Sequence, residues 1–87
     1  MKLSRKIRIS NPNGLHLRIA AQLVRLIQCY KSNIFVQKGL QMVNARSILC
    51  LLQLTAVFGA ELTFILEGDD ASQALDAIQR LLENKGS

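Results

Sequence analysis

Hydrophobic and polar positions change period several times along this chain, and each change marks the boundary of a predicted element. Short apolar or alternating runs between turn residues predict four strands: Leu3–Ser10, Asn33–Gln37, Leu40–Val43 and Glu61–Leu66. Apolar residues at helical spacing predict three helices: Leu17–Tyr30, Ile48–Leu54 and Ala71–Leu82. The predicted order of elements is therefore β-α-β-β-α-β-α.

Turn residues connect these elements and suggest how they pack. The segment 11–14 joins the first strand to the first helix, and Lys38-Gly39 predicts a hairpin turn. Asp70, with Gln73 three residues later, has the form of an N-cap and its capping partner. Few helices and a hairpin between them favour a sheet that is covered on one face. We therefore predict an α+β fold, with a four-stranded, mainly antiparallel sheet and three helices on one side, formed by residues 1–87 as a single domain.

The composition restricts the classes of partner. The chain is 49% hydrophobic, which is typical of a globular protein, and its formal net charge is +5. Scattered basic residues leave an acidic protein, an anionic membrane surface or RNA as candidate partners. A small RNA-binding module is the alternative from a different functional class. Against it, only Phe35 lies in a strand that could stack bases, and no Gly-x-x-Gly loop occurs, so no nucleic-acid partner is expected.

No stretch of the sequence has the pattern of an export signal or a membrane span. The longest apolar run, Ile48–Leu52, is far shorter than the ~20 residues that cross a bilayer. The basic residues near the N-terminus are not followed by an apolar run. We therefore expect a cytoplasmic protein without direct membrane insertion.

The two cysteines and the single histidine do not indicate a metal site. Without an export signal, Cys29 and Cys50 are expected to be reduced, core-facing thiols rather than a disulfide. No Cys-x-x-Cys pair occurs, so a protein-bound zinc ion is not expected. Neither a metal nor a cofactor is therefore predicted.

The turn before the first helix contains the residues with the strongest chemical indication. His16 lies at or beside the predicted helix N-terminus, and Arg18 lies in the first turn. Unpaired backbone N–H groups and the positive end of the helix dipole favour an anion there, and they favour a neutral imidazole. An arginine binds phosphate oxygens in pairs through its planar fork. A neutral imidazole beside such groups could accept a phosphoryl group, although a lone histidine at a turn is more often only a helix cap.

The second candidate site is Ser47 with the short helix that follows it. Ser47 is predicted to cap this helix, and a phosphate added to its side chain would be favoured electrostatically at the helix N-terminus. The helix is apolar nearly all round, so it is either buried or contributes to a docking patch. We expect Leu49 and Leu52 to face inward, and Ile48 and Leu51 to be partly exposed.

These two motifs resemble those of HPr, the histidine-containing phosphocarrier of the bacterial sugar phosphotransferase system. The matching motifs are Gly14-Leu15-His16-x-Arg18-x-Ala20-Ala21, Val43-Asn44-Ala45-Arg46-Ser47-Ile48 and Glu67-Gly68-x-Asp70-x-x-x-Ala74-Leu75. They occur in the same order as in the family, and the resemblance extends over nearly the whole chain. It implies the family's open-faced β-sandwich, which agrees with the architecture predicted above.

The resemblance also implies a function. His16 would accept a phosphoryl group on Nδ1 from enzyme I, charged by phosphoenolpyruvate, and pass it to the IIA domains of sugar permeases. Arg18 would steady the group, while Leu17, Ile48 and Leu51 would contribute to partner docking. Ser47 would be the target of an HPr kinase/phosphorylase, which would connect the protein to a catabolite regulator. The protein would then be a carrier, phosphorylated on its own histidine, rather than an enzyme.

Several residues depart from the family's usual pattern. The family usually reads His-Ala-Arg-Pro-Ala, whereas this chain has Leu17 and Ile19 at the alanine and proline positions. Ile19 restores a backbone N–H that proline lacks. Arg46 stands in place of the usual lysine before the serine, and Cys50 stands where a small residue is common. An alternative function is therefore a regulatory HPr-like protein of a variant phosphotransferase system, acting mainly through Ser47 without sugar uptake.

Overall fold

Seven elements follow one another in the predicted order. The fold is given by a computed structural model that describes residues 1–54 and 56–83. The elements are β1 (Lys2–Arg8), α1 (Leu17–Ile27), β2 (Asn33–Lys38), β3 (Gln41–Asn44), α2 (Ile48–Gln53), β4 (Glu61–Glu67) and α3 (Ala71–Glu83). The predicted α+β architecture is confirmed.

The four strands form one sheet in the order β1-β4-β2-β3. All three pairings are antiparallel, with Ile7 opposite Leu62 and Val36 opposite Phe64. The last strand of the chain therefore lies in the middle of the sheet, between the first strand and the hairpin. Because β1 and β4 are antiparallel, the loop before α1 and the loop before β4 lie at the same end of the sheet. There the Ile9 N–H donates to the Ala60 carbonyl at 2.9 Å.

One face of the sheet forms the core with the helices. Leu62, Phe64 and Leu66 share that face, as predicted, and each is completely buried. The helices contribute buried apolar residues to the same cluster, among them Leu23 and Ile78. On the opposite face, side chains such as Met42 are exposed. The sheet is therefore covered on one side only, by the layer of helices.

Several predicted boundaries differ from the observed ones by one to three residues, and the predicted first strand, Leu3–Ser10, is found at Lys2–Arg8. Helix α1 ends at Ile27 rather than Tyr30, because the N–H groups of Cys29 and Tyr30 donate to carbonyls three residues back and tighten the last turn. In the hairpin Lys38 pairs with Gln41, so the turn is Gly39-Leu40 rather than Lys38-Gly39. Gly39 takes the positive φ of +60° that this two-residue turn requires.

The predicted orientation of the cysteines is also wrong. Cys29 is exposed because it lies two residues beyond the end of α1, where the helical pattern no longer determines which face is buried. Cys50, in α2, is partly exposed. Among residues 1–54 and 56–83, no helix combines the length and the apolar character needed to cross a membrane.

Candidate functional site

His16 is the N-cap of α1. Its backbone is extended, with φ −91° and ψ 178°, and its Nδ1 accepts the N–H of Arg18 at 3.3 Å. The first intrahelical bond runs from Ala20 N–H to the His16 carbonyl at 2.9 Å. The imidazole therefore lies against the positive end of the helix, as the sequence predicted.

Three backbone N–H groups at the start of α1 lack intrahelical acceptors, and one of them donates to Nδ1. Leu17, Arg18 and Ile19 precede the first intrahelical donor, Ala20, so their amides have no intrahelical acceptor. The first turn contains no acidic residue. Together with the helix dipole, these amides form an environment that favours a negatively charged group attached to Nδ1.

The two imidazole nitrogens have different surroundings. The bond between Nδ1 and the Arg18 amide is exposed, whereas Nε2 is shielded from solvent and has no hydrogen-bond partner among the described residues. Because Nδ1 accepts a hydrogen bond, the neutral ring carries its proton on Nε2. The nitrogen with a free electron pair is therefore the one at the helix end.

The loop before His16 is fixed by local and non-local hydrogen bonds. The buried side chain of Asn11 accepts the Asn13 N–H at 3.0 Å, and the Asn11 carbonyl accepts the Gly14 N–H at 2.9 Å. Leu15 N–H donates to the Ala56 carbonyl at 2.8 Å. These bonds fix the direction in which the chain enters α1, and with it the position of His16.

Gly14 is required in this loop for two reasons. Its φ is +70°, which side-chain-bearing residues rarely adopt, and a Cβ there would lie 2.6 Å from the Ala56 oxygen. The nearest atom of Val57 would be only 2.9 Å away. The glycine therefore permits the backbone contact that holds the His16 loop against the segment before β4.

Arg18 is exposed, and its guanidinium has no ion pair or hydrogen bond with the described part of the chain. Two other arginines are paired: Arg5 with Asp76 at 3.1 Å and Arg8 with Glu61 at 3.7 Å. The Arg18 guanidinium, two residues beyond His16, can therefore turn to an anion without breaking an existing contact.

Ser47 caps α2 in the same way that His16 caps α1. Its backbone is extended, its Oγ accepts the Cys50 N–H at 3.3 Å, and its carbonyl accepts the Leu51 N–H at 3.0 Å. The predicted N-cap is confirmed. Ile48, the next residue, lines a recess of about 270 Å³ together with Ala21 and Val24 of α1, so the two motifs belong to adjacent helices.

The predicted orientation of α2 is partly wrong. Leu51 is completely buried, whereas Leu49 is 70% exposed, and Ile48 and Leu52 are half-buried. The helix has only six residues, and it packs with Leu51 and its C-cap residue Leu54 toward the core. Leu51 therefore cannot contact a partner, and Leu49 takes its place on the surface.

Two exposed apolar residues near the site were not predicted. Val57 and Phe58 are each 62% exposed, in the segment whose backbone contacts Gly14. The only signal in the sequence was an apolar pair directly before a loop glycine. We refer to Leu17, Leu49, Val57 and Phe58 as the apolar rim; each is at least 62% exposed.

A polar network ties the end of α1 to the loops before α2 and α3. Arg46 donates to the carbonyls of Tyr30 and Ser32 at 2.8 and 2.9 Å, and to that of Ile27 at 3.3 Å. The Asp70 carboxylate accepts the Ser32 hydroxyl and the backbone N–H groups of Lys31 and Ser32. The sequence pattern predicted that Asp70 and Gln73 form a capping pair. The Asp70 side chain instead binds Lys31 and Ser32, so that prediction is wrong for the side chain.

These hydrogen bonds change the acidity of Asp70. The Ser32 hydroxyl, followed by the Lys31 backbone N–H, lowers the pKa of the Asp70 carboxyl below its usual value. We call Arg46, Ser32 and Asp70 the loop clamp. It holds the residue before Ser47 against the end of the helix that His16 begins.

Comparisons with known proteins agree with this geometry. The family described as "PTS HPr component phosphorylation site" matches residues 3–84. A phosphocarrier protein HPr of Treponema pallidum is 38% identical over 79 residues, covering 91% of this chain and 90% of the relative. A phosphocarrier protein NPr of Shewanella violacea is also 38% identical, over 84 residues, covering 97% of this chain and 92% of the relative.

A solved structure has the same fold. The crystal structure of an HPr from Thermoanaerobacter tengcongensis superposes with a TM-score of 0.92 at 36% identity, covering 98% of this chain and 97% of that one. The match extends over the sheet, the three helices and the loops that hold His16 and Ser47. The chain therefore belongs to the HPr family of phosphocarrier proteins of the phosphotransferase system.

Proposed function

We propose that His16 accepts a phosphoryl group on Nδ1 from phosphoenolpyruvate-charged enzyme I and passes it to the IIA domains of sugar permeases. The observation that carries this proposal is the position of Nδ1 at the N-terminus of α1, where it accepts the Arg18 N–H. The Arg18 N–H, which donates to Nδ1 in the free protein, would donate to a phosphoryl oxygen in the phosphorylated protein.

The transfer is an in-line displacement at phosphorus. The lone pair on Nδ1 forms a new N–P bond while the bond to the donor histidine of enzyme I breaks, and that electron pair returns to the donor nitrogen. The proton on Nε2 stays in place. The Arg18 amide then donates to a phosphoryl oxygen instead of to Nδ1, and the Arg18 guanidinium binds the remaining charge.

We propose that the apolar rim, with Ile48, forms the docking surface for both partners. Leu17 begins α1, Leu49 lies in α2, and Val57 and Phe58 belong to the segment whose backbone contacts Gly14. Exposed apolar side chains beside a small polar site are typical of a transient interface. Residues 1–87 would act as one carrier domain.

Ser47 is proposed as a regulatory phosphorylation site for an HPr kinase/phosphorylase, with a catabolite regulator as the reader of the modified form. Its half-buried hydroxyl lies at the start of α2, next to Ile48. A phosphate would be tolerated by the helix N-terminus, yet it would add about two negative charges beside the apolar docking surface.

Intact-protein mass after incubation with phosphoenolpyruvate and enzyme I tests the carrier function. One added phosphoryl group is expected on the parent protein, lost in acid and stable in base, and none on His16→Ala. Ser47→Ala is the matched control and should be charged like the parent. An uncharged parent, in a reaction that charges another HPr, would refute the carrier proposal.

A regulatory protein acting mainly through Ser47 is the second candidate. The observation that favours it is Leu17, 62% exposed directly beside His16, where the family usually has a methyl group. This bulk would hinder approach of a partner histidine. The discriminating result is an acid-stable phosphate on Ser47 from ATP and an HPr kinase, absent from Ser47→Ala, while enzyme I leaves His16 uncharged.

A further inference from the structure

A groove between α1 and α3 lies outside the site described so far. Its volume is about 520 Å³, and the first α1 residue that lines it is Gln22. Gln22 lies six residues beyond His16, which corresponds to about 9 Å along the helix axis. The groove extends from there toward Cys29, so it leads away from the phosphoryl acceptor, and of its lining residues Arg25 alone also lines the recess beside Ile48.

The floor of the groove is apolar. Leu26 and Leu81 are half-buried, and Ala77 is 8% exposed. An open recess with this lining can receive one or two apolar side chains of a partner, since its volume is within the range of about 300–1,000 Å³ typical of protein pockets.

The walls of the groove are basic. Arg25 lies in the last turn of α1 and Arg80 in the last turn of α3, and both are exposed. Neither guanidinium has an ion pair within residues 1–54 and 56–83, and none of the lining residues is acidic. The two charged side chains that line the groove are therefore both positive, and neither is paired within the described residues.

Gln22 adds a polar group at one end. Its Oε1 is shielded from solvent and accepts no hydrogen bond from the described residues. A buried acceptor without a partner is uncommon in folded proteins. A donor on a bound molecule would satisfy this group once the side chain turns toward the groove.

We propose that this groove docks an acidic amphipathic helix of a partner protein. Apolar side chains of such a helix would enter the floor between α1 and α3, and carboxylates on either flank would meet Arg25 and Arg80. The complementary charge selects an acidic partner over a basic or neutral one. This surface is additional to the one proposed for phosphoryl transfer, and it does not depend on the chemistry of His16.

The test is a titration of the ¹⁵N-labelled protein with a synthetic amphipathic helix that carries leucine on one face and glutamate on both flanks. Amide shifts are expected at Leu26, Ala77 and Leu81, with an affinity that falls as salt is added. Arg80→Glu should weaken binding about tenfold, because an attraction becomes a repulsion. Lys6→Glu makes the same charge change at an exposed residue of β1 and should bind like the parent.

A second measurement blocks the groove directly. Cys29 lines it, so a bulky maleimide on Cys29 in a Cys50→Ser background should abolish peptide binding. The control is the Cys29→Ser variant labelled at Cys50, which should still bind the peptide. The proposal is overturned if the peptide does not bind, if its shifts cluster around His16, or if Arg80→Glu and Lys6→Glu weaken it equally. Equal affinity for a control peptide in which lysine replaces every glutamate would overturn it too.

Discussion

Arg46 donates a guanidinium N–H to the Tyr30 carbonyl at 2.8 Å, and so caps the end of α1 from the loop before α2. We expect Arg46→Ala to lower the free energy of unfolding by about 1–2 kcal/mol, because two further carbonyls lose the same donor group. Arg46→Lys should lower the free energy of unfolding by less, since an ammonium group reaches some of these oxygens but not all. Urea denaturation measures both values.

The control for this prediction is Arg8→Ala. Arg8 is exposed and its ion pair with Glu61 is long, at 3.7 Å, so its loss should cost at most about 0.5 kcal/mol. Equal losses for the Arg46 and Arg8 variants would show that the contacts at the end of α1 do not stabilise the fold.

The loop clamp should make stability depend on pH through Asp70. Its pKa is lowered, chiefly by the Ser32 hydroxyl, so the ionised form is favoured by folding. The stabilisation is therefore fully present above the unfolded pKa of about 3.9, and is lost as pH falls through the lower pKa of the folded state. Asp70→Asn should be less stable than the parent at pH 7, with a difference that shrinks toward pH 2.

Asp69→Asn is the comparison for this pH series, since Asp69 is an exposed neighbour whose carboxylate accepts no hydrogen bond from Ser32 in the described part of the chain. Urea midpoints at intervals from pH 7 to pH 2 give the result. A constant difference between Asp70→Asn and the parent across this range would contradict the assignment.

The close contact at Gly14 predicts a strong effect of a single methyl group. Gly14→Ala must relieve both a φ of +70° and a clash with the Ala56 oxygen, whereas Gly39→Ala, at φ +60°, meets no atom within 4 Å. We expect Gly39→Ala to cost about 1 kcal/mol, and Gly14→Ala to cost about 1–3 kcal/mol more. Thermal or urea unfolding tests this, and similar losses would disprove the tight contact.

The N-cap role of Ser47 separates stability from regulation. Ser47→Ala should lower the free energy of unfolding by about 1 kcal/mol, because the Cys50 N–H loses its acceptor. Ser47→Asp keeps a cap and adds a negative charge, so it should be as stable as the parent but slower to accept a phosphoryl group from enzyme I. Ser47→Asp that is charged at the parent rate would argue against regulation through this residue.

Arg18 is expected to act in transfer without stabilising the fold. Since its guanidinium has no contact with the described residues, Arg18→Ala should unfold like the parent. Its transfer rate from enzyme I should fall about 10–100-fold, because the phosphoryl charge loses a donor. Rapid-quench measurements give this rate, and Arg18→Lys should recover part of it. An unchanged rate would remove Arg18 from the proposed site.

The order of elements and the starts of α1 and α2 could be predicted because they depend on residues close in sequence. A turn before apolar residues at helical spacing was enough to place His16 at or beside the start of α1, and Ser47 before an apolar run was enough to predict the N-cap of α2. The alternation in β4 likewise identified the buried face of Leu62, Phe64 and Leu66.

The remaining features depend on contacts between distant segments. A six-residue helix that is apolar on all sides has no pattern to show that Leu51 faces the core and Leu49 does not. Asp70 had a local capping partner in the sequence, but its side chain binds Ser32, 38 residues away. The exposure of Val57 and Phe58 depends on the position of their loop against Gly14, which the sequence does not encode locally.

The loop clamp has a consequence for the lifetime of the native state. The hydrogen bond between Ser32 and Asp70 spans 38 residues, and Asp70 follows β4, which lies between β1 and β2 in the sheet. Contacts of such long separation are costly to close early in folding, so we expect the clamp to be absent from the transition state. Interactions that form after the transition state slow unfolding but do not speed folding. We therefore expect the loop clamp to slow the unfolding of this small carrier without making its folding faster.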